Sequence, residues 1–212
     1  LAQMLGRGEG AIIARIAHLG NPTHKAHQRL RGGPAAAAAS LAPAADAGQL
    51  NAKQREAVEL ARRGRSLFLT GGAGTGKSFT LGFVVRELQR LHGREAVFVT
   101  ASTGIAACHV GGTTLHSFAG VGLGEGTAAE LAGRVLRSRA ATARWQTARA
   151  LVVDEVSMLD GGLFDKLEEM ARVLRESQLP FGGIQLILSG DFFQLPPVGL
   201  AKGGGGRSGT PL

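Results

Sequence analysis

The string Gly71-Gly-Ala-Gly-Thr-Gly76-Lys77-Ser78 limits what this 212-residue chain can fold into more than any other feature. It follows the pattern of a glycine, four residues, then Gly-Lys-Ser. Its flanks fit: the apolar run Ser66–Thr70 reads as a short buried strand, and Ser78–Leu91 reads as a helix. Glycines reach backbone angles closed to other residues. The N–H groups of Gly72, Ala73, Gly74, Thr75 and Gly76 can then converge on phosphate oxygens, with the positive end of the helix dipole behind them. Lys77 is expected to reach the β- and γ-phosphates and Ser78 to ligate Mg²⁺.

Short apolar strands alternate with helical patterns along the rest of the chain. Asn51–Ala61 has helical spacing, with Asn51 as N-cap and Gln54 three residues on. Ala96–Thr100, Leu151–Val153 and Ile184–Leu188 read as strands, and Gly162–Arg175 as an amphipathic helix. This alternation predicts an α/β domain, a parallel sheet with helices on both faces. Ligands of such sheets bind at the C-terminal ends of the strands. At one such end Asp154 and Glu155 follow Leu151–Val153. Asp154 is placed to hold the Mg²⁺ shell, and Glu155 to orient and deprotonate an attacking water. Gly190-Asp191-Phe-Phe-Gln194-Leu-Pro-Pro-Val198 follows another. Gln194 is either a γ-phosphate contact or a surface-loop glutamine, and the double proline gives a rigid, shaped loop.

Between the first and third of these signals, Thr100–Ala107 offers hydroxyls and free N–H groups suited to a nucleic-acid backbone. In Gly111–Gly120, His116 and Phe118 either stack on unpaired bases or, for Phe118, fill the core. Residues 131–153 hold Arg134, Arg137, Arg139, Arg144 and Arg149 and no acid. They form a phosphate-facing patch or a solvated helix face, and Trp145 among them reads as a core anchor. The six histidines show no metal-ligand spacing, and no serine or cysteine triad is visible. The single Cys108 excludes a disulfide framework and reads as a small buried apolar residue.

The net charge of +8 makes a polyanion a plausible partner, but it is uneven. Residues 1–50 carry five Lys/Arg against two acids, 199–212 two against none, and the stretch between them seventeen against fourteen. Residues 1–49 include Ala35–Ala39 and are expected to be a disordered lead-in, an organelle presequence or a spacer. Residues 199–212 are glycine-rich and expected to be disordered. No apolar run is long enough to span a membrane.

With these motifs laid out, residues 50–198 resemble the PIF-type helicases, DNA helicases of superfamily 1 related to the RecD group. The resemblance is carried in order by Gly71–Ser78, Ala101–Ala107, Gly111–Gly120, Asp154-Glu-Val-Ser-Met158, Phe181-Gly-Gly-Ile-Gln185 and Gly190–Val198. It implies a phosphate-loop, RecA-like motor domain fuelled by ATP and Mg²⁺. The motor would move 5′-to-3′ on single-stranded or structured DNA, act as a monomer in nucleus or mitochondrion, and serve repair, recombination and telomere maintenance. By the same resemblance Gln54 contacts adenine, Gln194 senses the γ-phosphate, and Thr103, His116 and Phe118 lie near DNA. Such motors close ATP against a second RecA-like domain that supplies an arginine. No candidate for it follows Val198, so slow hydrolysis is expected. Two other readings stand beside this one: a nucleotide- or DNA-binding fragment without helicase activity, and a phosphate-loop ATPase that never touches DNA.

Overall fold

The computed structural model describes residues 49–191. Residues 1–48 and 192–212, with the expected disordered tails and Gln194, lie outside the described residues.

Asn51 starts the first helix, α1 (Ala52–Arg62), as a capping box: its side chain accepts from Gln54 N, and the Gln54 side chain accepts from Asn51 N, both at 2.9 Å. The chain then alternates between strand and helix. Strand β1 (Leu67–Thr70) leads through the glycine loop into α2 (Lys77–His92), and β2 (Val97–Ala101) into α3 (Gly104–His109). The two-residue β3 (Thr113–Thr114) leads into α4 (Leu115–Ala119), α5 (Ala128–Leu136) and α6 (Arg139–Thr147). Strand β4 (Ala150–Asp154), α7 (Gly161–Leu174) and β5 (Gln185–Gly190) complete it. The strands lie in the order β1-β5-β4-β2-β3, and every pairing is parallel.

Side chains alternate across a strand, so each strand feeds two cores. Leu67, Leu69, Val97, Ala101, Ala150, Val152 and Ile187 pack with α1, α2 and α3 on one face. Leu151, Val153 and Leu186, with the partly buried Phe68, Phe98 and Leu188, pack with α4 to α7 on the other. Both faces are covered, which is why these strands read as continuous apolar runs.

Helices α5 and α6 were not legible as separate elements. Thr127 with Glu130 forms a second capping box at the start of α5, and Ser138 caps α6. The arginines here are partly engaged by structure. Arg134 donates to Val121 O, and Arg144 donates to Phe118 O and Ser117 O at 2.8 and 3.0 Å. Those two guanidiniums hold carbonyls of α4 and of the loop after it rather than forming a phosphate-facing surface. Trp145 is the expected core anchor: it is 0% exposed and donates its indole N–H to Ala119 O. Arg175, at the end of α7, donates to Gly182 O and to Trp145 O, Gln146 O and Ala148 O, pinning the end of α6. Cys108 departs from its expected place: it is exposed on α3. No described helix is long and apolar enough to cross a membrane.

Candidate nucleotide site

The glycine loop joins β1 to α2 at the C-terminal rim of the sheet, and its residues 72–75 are exposed. Gly76 caps α2 with φ of +84°, a left-handed angle that glycine adopts without cost. A Cβ there would also stand 2.8 Å from Gln54 Nε2. Gln54, 6% exposed, therefore lies against the loop while its carbonyl holds the start of α1. Thr75 donates to Gly72 O at 2.9 Å, and Thr80 braces Gly76 O from the next turn of α2. Lys77 reaches back over the loop to Gly71 O and Gly72 O, at 2.5 and 3.1 Å. Ser78 is exposed on the first turn of α2.

Strand β5 lies between the loop strand β1 and the acid-bearing β4, so all three end on one rim. Asp154, the last residue of β4, is 8% exposed. Its carbonyl accepts from Ser102 N at 3.2 Å, which fastens the end of β4 to the end of β2. Glu155 has φ of +50° and ψ of +42°, a left-handed backbone in a non-glycine residue. Such angles cost energy and persist where surrounding packing enforces them. Gly190 lies close against this turn: a Cβ there would stand 3.1–3.2 Å from Val156 Cγ1, Val156 N and Ser157 N. The Glu155 carboxyl is pushed above the usual glutamate range, first by burial and then by the Asp154 carboxylate. The Lys77 ammonium opposes that rise, and Asp191 adds to it. Lys77, Asp154, Glu155 and Asp191 thus share one electrostatic neighbourhood.

The donor set fits a magnesium–phosphate ligand. Among the described residues no three His, Cys, Asp or Glu side chains gather to hold a metal unaided. Magnesium does not require that: it keeps waters and takes one or two carboxylates plus substrate phosphates. Ser78 and Asp154 are hard oxygen donors of that kind, and the loop offers its amides beside them.

Thr103 and His116 stand on the same rim at its other end, past the register Ala101↔Thr114. Both are half-buried, and Thr103 Oγ1 accepts from Ala106 N as the cap of α3. Phe118 is corrected: it is 2% exposed, between Phe98 and Trp145 with ring centroids 4.9 and 5.0 Å away. A ring held there cannot stack on a base. Sequence reasoning gave no role to Asp191, which is 4% exposed at the end of β5. Its place after an apolar strand, like that of Asp154, was the available signal.

A parallel sheet that brings a phosphate-type loop and a strand-borne acid pair to one rim defines a RecA-like α/β domain. Comparison with known proteins narrows the class. Residues 49–206 match the PIF1-like helicase family, and the chain belongs to that family. ATP-dependent DNA helicase PIF1 of Saccharomyces cerevisiae (strain YJM789) is 56% identical over 149 residues, 70% of this chain and 17% of the yeast protein. The crystal structure of Pif1 helicase from Candida albicans superposes with a TM-score of 0.68 at 50% identity, over 70% of this chain and 34% of that one. Pif1 from Bacteroides in complex with ADP-AlF3 and ssDNA gives 0.58 at 32% identity, over 70% and 34%. The chain therefore spans less than a quarter of the yeast protein's length and about a third of each solved chain.

Proposed function

We propose that this domain binds Mg-ATP at the β1–β5–β4 rim and is the ATP-hydrolysing half of a DNA helicase motor working on single-stranded DNA. The observation that carries the reading is the convergence of the loop ending in Lys77 with Asp154 and Glu155 on one rim, set by the parallel strand order β1-β5-β4. In this reading the amides of Gly72–Gly76 bind phosphate oxygens and Lys77 moves from Gly71 O and Gly72 O onto the β- and γ-phosphates. Gln54 approaches the adenine from α1. Magnesium, held by Ser78 and Asp154, would offset charge developing on the phosphates. Glu155 orients the attacking water and takes its proton. Burial raises its affinity for protons above that of an ordinary glutamate, the direction that strengthens a carboxylate as a base. A γ-phosphate-sensing role for Gln194, which lies outside the described residues, rests on the family resemblance alone. Support for a nucleotide and DNA comes from the Bacteroides relative solved with ADP-AlF3 and ssDNA.

Thr103 and His116 are the DNA-side candidates, at the β2–β3 end of the rim. Roles in repair, recombination and telomere maintenance, and a place in nucleus or mitochondrion, are part of the proposal and rest on family membership. Phosphoryl-transfer motors gain on the order of a thousandfold or more from an arginine supplied in trans. Assayed as a separate polypeptide with no second motor domain added, these 212 residues are accordingly expected to bind ATP and hydrolyse it slowly. The test is ATP binding and steady-state turnover of the wild type, Lys77→Ala and Glu155→Gln, with and without oligo-dT. Binding lost in Lys77→Ala and retained in Glu155→Gln, with slow turnover absent from both, is the expected result. ATP binding unaffected by Lys77→Ala would refute the site, and fast DNA-stimulated turnover by this chain would refute the need for an arginine in trans.

A further inference from the structure

Two side-chain oxygens among the described residues are buried with no hydrogen-bond partner: Ser189 Oγ and Ser102 Oγ. A hydroxyl removed from water and left unpartnered is a cost that native folds seldom carry without a reason. Both flank the same residue. The parallel register pairs Val153 with Leu188, which brings Ser189 of β5 alongside Asp154 of β4. Alternation puts the two side chains on one face: Ala150 and Val152 in β4, and Ile187 in β5, all pack on the α1–α3 side. Ser189 also pairs with Leu69 of β1, two residues before the glycine loop begins. Ser189 is 0% exposed, so its hydroxyl has no solvent partner to fall back on. Ser102, on the other side, already gives its backbone N–H to Asp154 O.

We infer that Ser189 is a positioning residue: its hydroxyl turns to donate to the Asp154 carboxylate and fixes the rotamer in which that carboxylate meets the magnesium-bound nucleotide. The inference rests on the reading of this rim as a Mg-ATP site. Neighbouring strands are about 4.8 Å apart, so a single side-chain rotation brings a serine hydroxyl to an adjacent carboxylate on the same face. With a metal bound, the Asp154 carboxylate would be held in one orientation. A hydroxyl already beside it then gains a partner that it lacks in this structure. The unpartnered state is the disfavoured half of a device whose favoured half is the loaded site. Outer partners of metal-binding carboxylates act in this way on metal affinity.

The consequence is a pair of effects with opposite signs. Ser189→Ala removes the orphan hydroxyl, so the nucleotide-free chain melts at a higher temperature than wild type. The same change raises the magnesium concentration for half-maximal binding of a non-hydrolysable ATP analogue, by about tenfold. Binding of the analogue without magnesium does not change. Ser189→Thr keeps the hydroxyl and restores the magnesium dependence. A merely structural role would move the melting temperature and leave the magnesium titration alone. The experiment is that titration, read by fluorescence of the labelled analogue, on the full 212-residue chain and both variants, with a melt of each. A wild-type magnesium dependence reproduced unchanged by Ser189→Ala overturns the inference alone. A wild type that binds the analogue without regard to magnesium overturns the Mg-ATP reading and takes the inference with it.

Discussion

The two ends of the rim carry motifs of equal density, yet the fold uses them differently. At the nucleotide end the loop residues 72–75 and Ser78 are exposed, where a ligand can reach them. At the β2–β3 end most of the motif serves the scaffold. Thr103 and Thr114 cap α3 and α4, and Phe118 lies in the core. Gly112 is there because a Cβ would stand 2.2 Å from Val99 O, a backbone atom that cannot move aside. Recurring sequence strings therefore mix ligand-facing groups with the groups that hold them. Only packing separates the two.

Four substitutions break or sharpen that contrast. The largest effect is Phe118→Ala, which empties the space between Phe98 and Trp145 and costs about 3–5 kcal/mol of stability. Lys77→Ala, its counterpart at the other end, stays within about 1 kcal/mol of wild type in the same denaturant melts while abolishing ATP binding. Thr103→Ala comes next, at about 1 kcal/mol, for loss of the cap on α3. Oligo-dT affinity measured beside the melt sharpens the contrast. An affinity drop well beyond the stability loss marks Thr103 as a DNA contact, and none marks it as scaffold.

The smallest effect is Glu155→Gln, and its sign is opposite. Burial and the Asp154 carboxylate hold Glu155 above the usual glutamate range. Its preference for the protonated form stabilises the fold below the ordinary glutamate range and is lost as pH climbs through the raised value. At neutral pH the ionised carboxylate is a burden, so Glu155→Gln melts slightly higher than wild type there. The gap closes in acid. Melts at neutral pH and near pH 4 check this, and a variant that is less stable than wild type at neutral pH contradicts it.

Much of the frame was legible because its signals are local. The Asn51–Gln54 capping box, the glycine loop and the apolar strands follow from spacing and residue type, and the four expected strands fall within one or two residues of their bounds, whereas the two-residue β3 was not expected. Helices α5 and α6 were hidden in an Ala- and Arg-rich stretch because each is short and buries few residues: Ala128, Leu131, Ala132 and Val135 in α5, and Ala141 and Trp145 in α6. The carbonyl clamps of Arg144 and Arg175 reach residues 26 to 30 positions away, and no local pattern announces them. The tie from Gln185 Nε2 to Ala61 O and Arg65 O is longer still. Cys108 was assigned by residue-type preference, and α3 turns it outward. Ser189 looks like one more small residue in an apolar strand. Its place beside Asp154 exists only in the sheet register.

The central claim is that the loop ending in Lys77-Ser78 and the acid pair Asp154-Glu155 serve one metal-bound triphosphate. Crystals of this chain with a non-hydrolysable ATP analogue and manganese in place of magnesium would locate the metal by anomalous scattering. The account predicts one peak about 2 Å from Ser78 Oγ, joined to Asp154 directly or through one water, with Lys77 on the phosphates. Triphosphate on the loop with the metal remote from Asp154, or nucleotide bound away from the loop altogether, would contradict it.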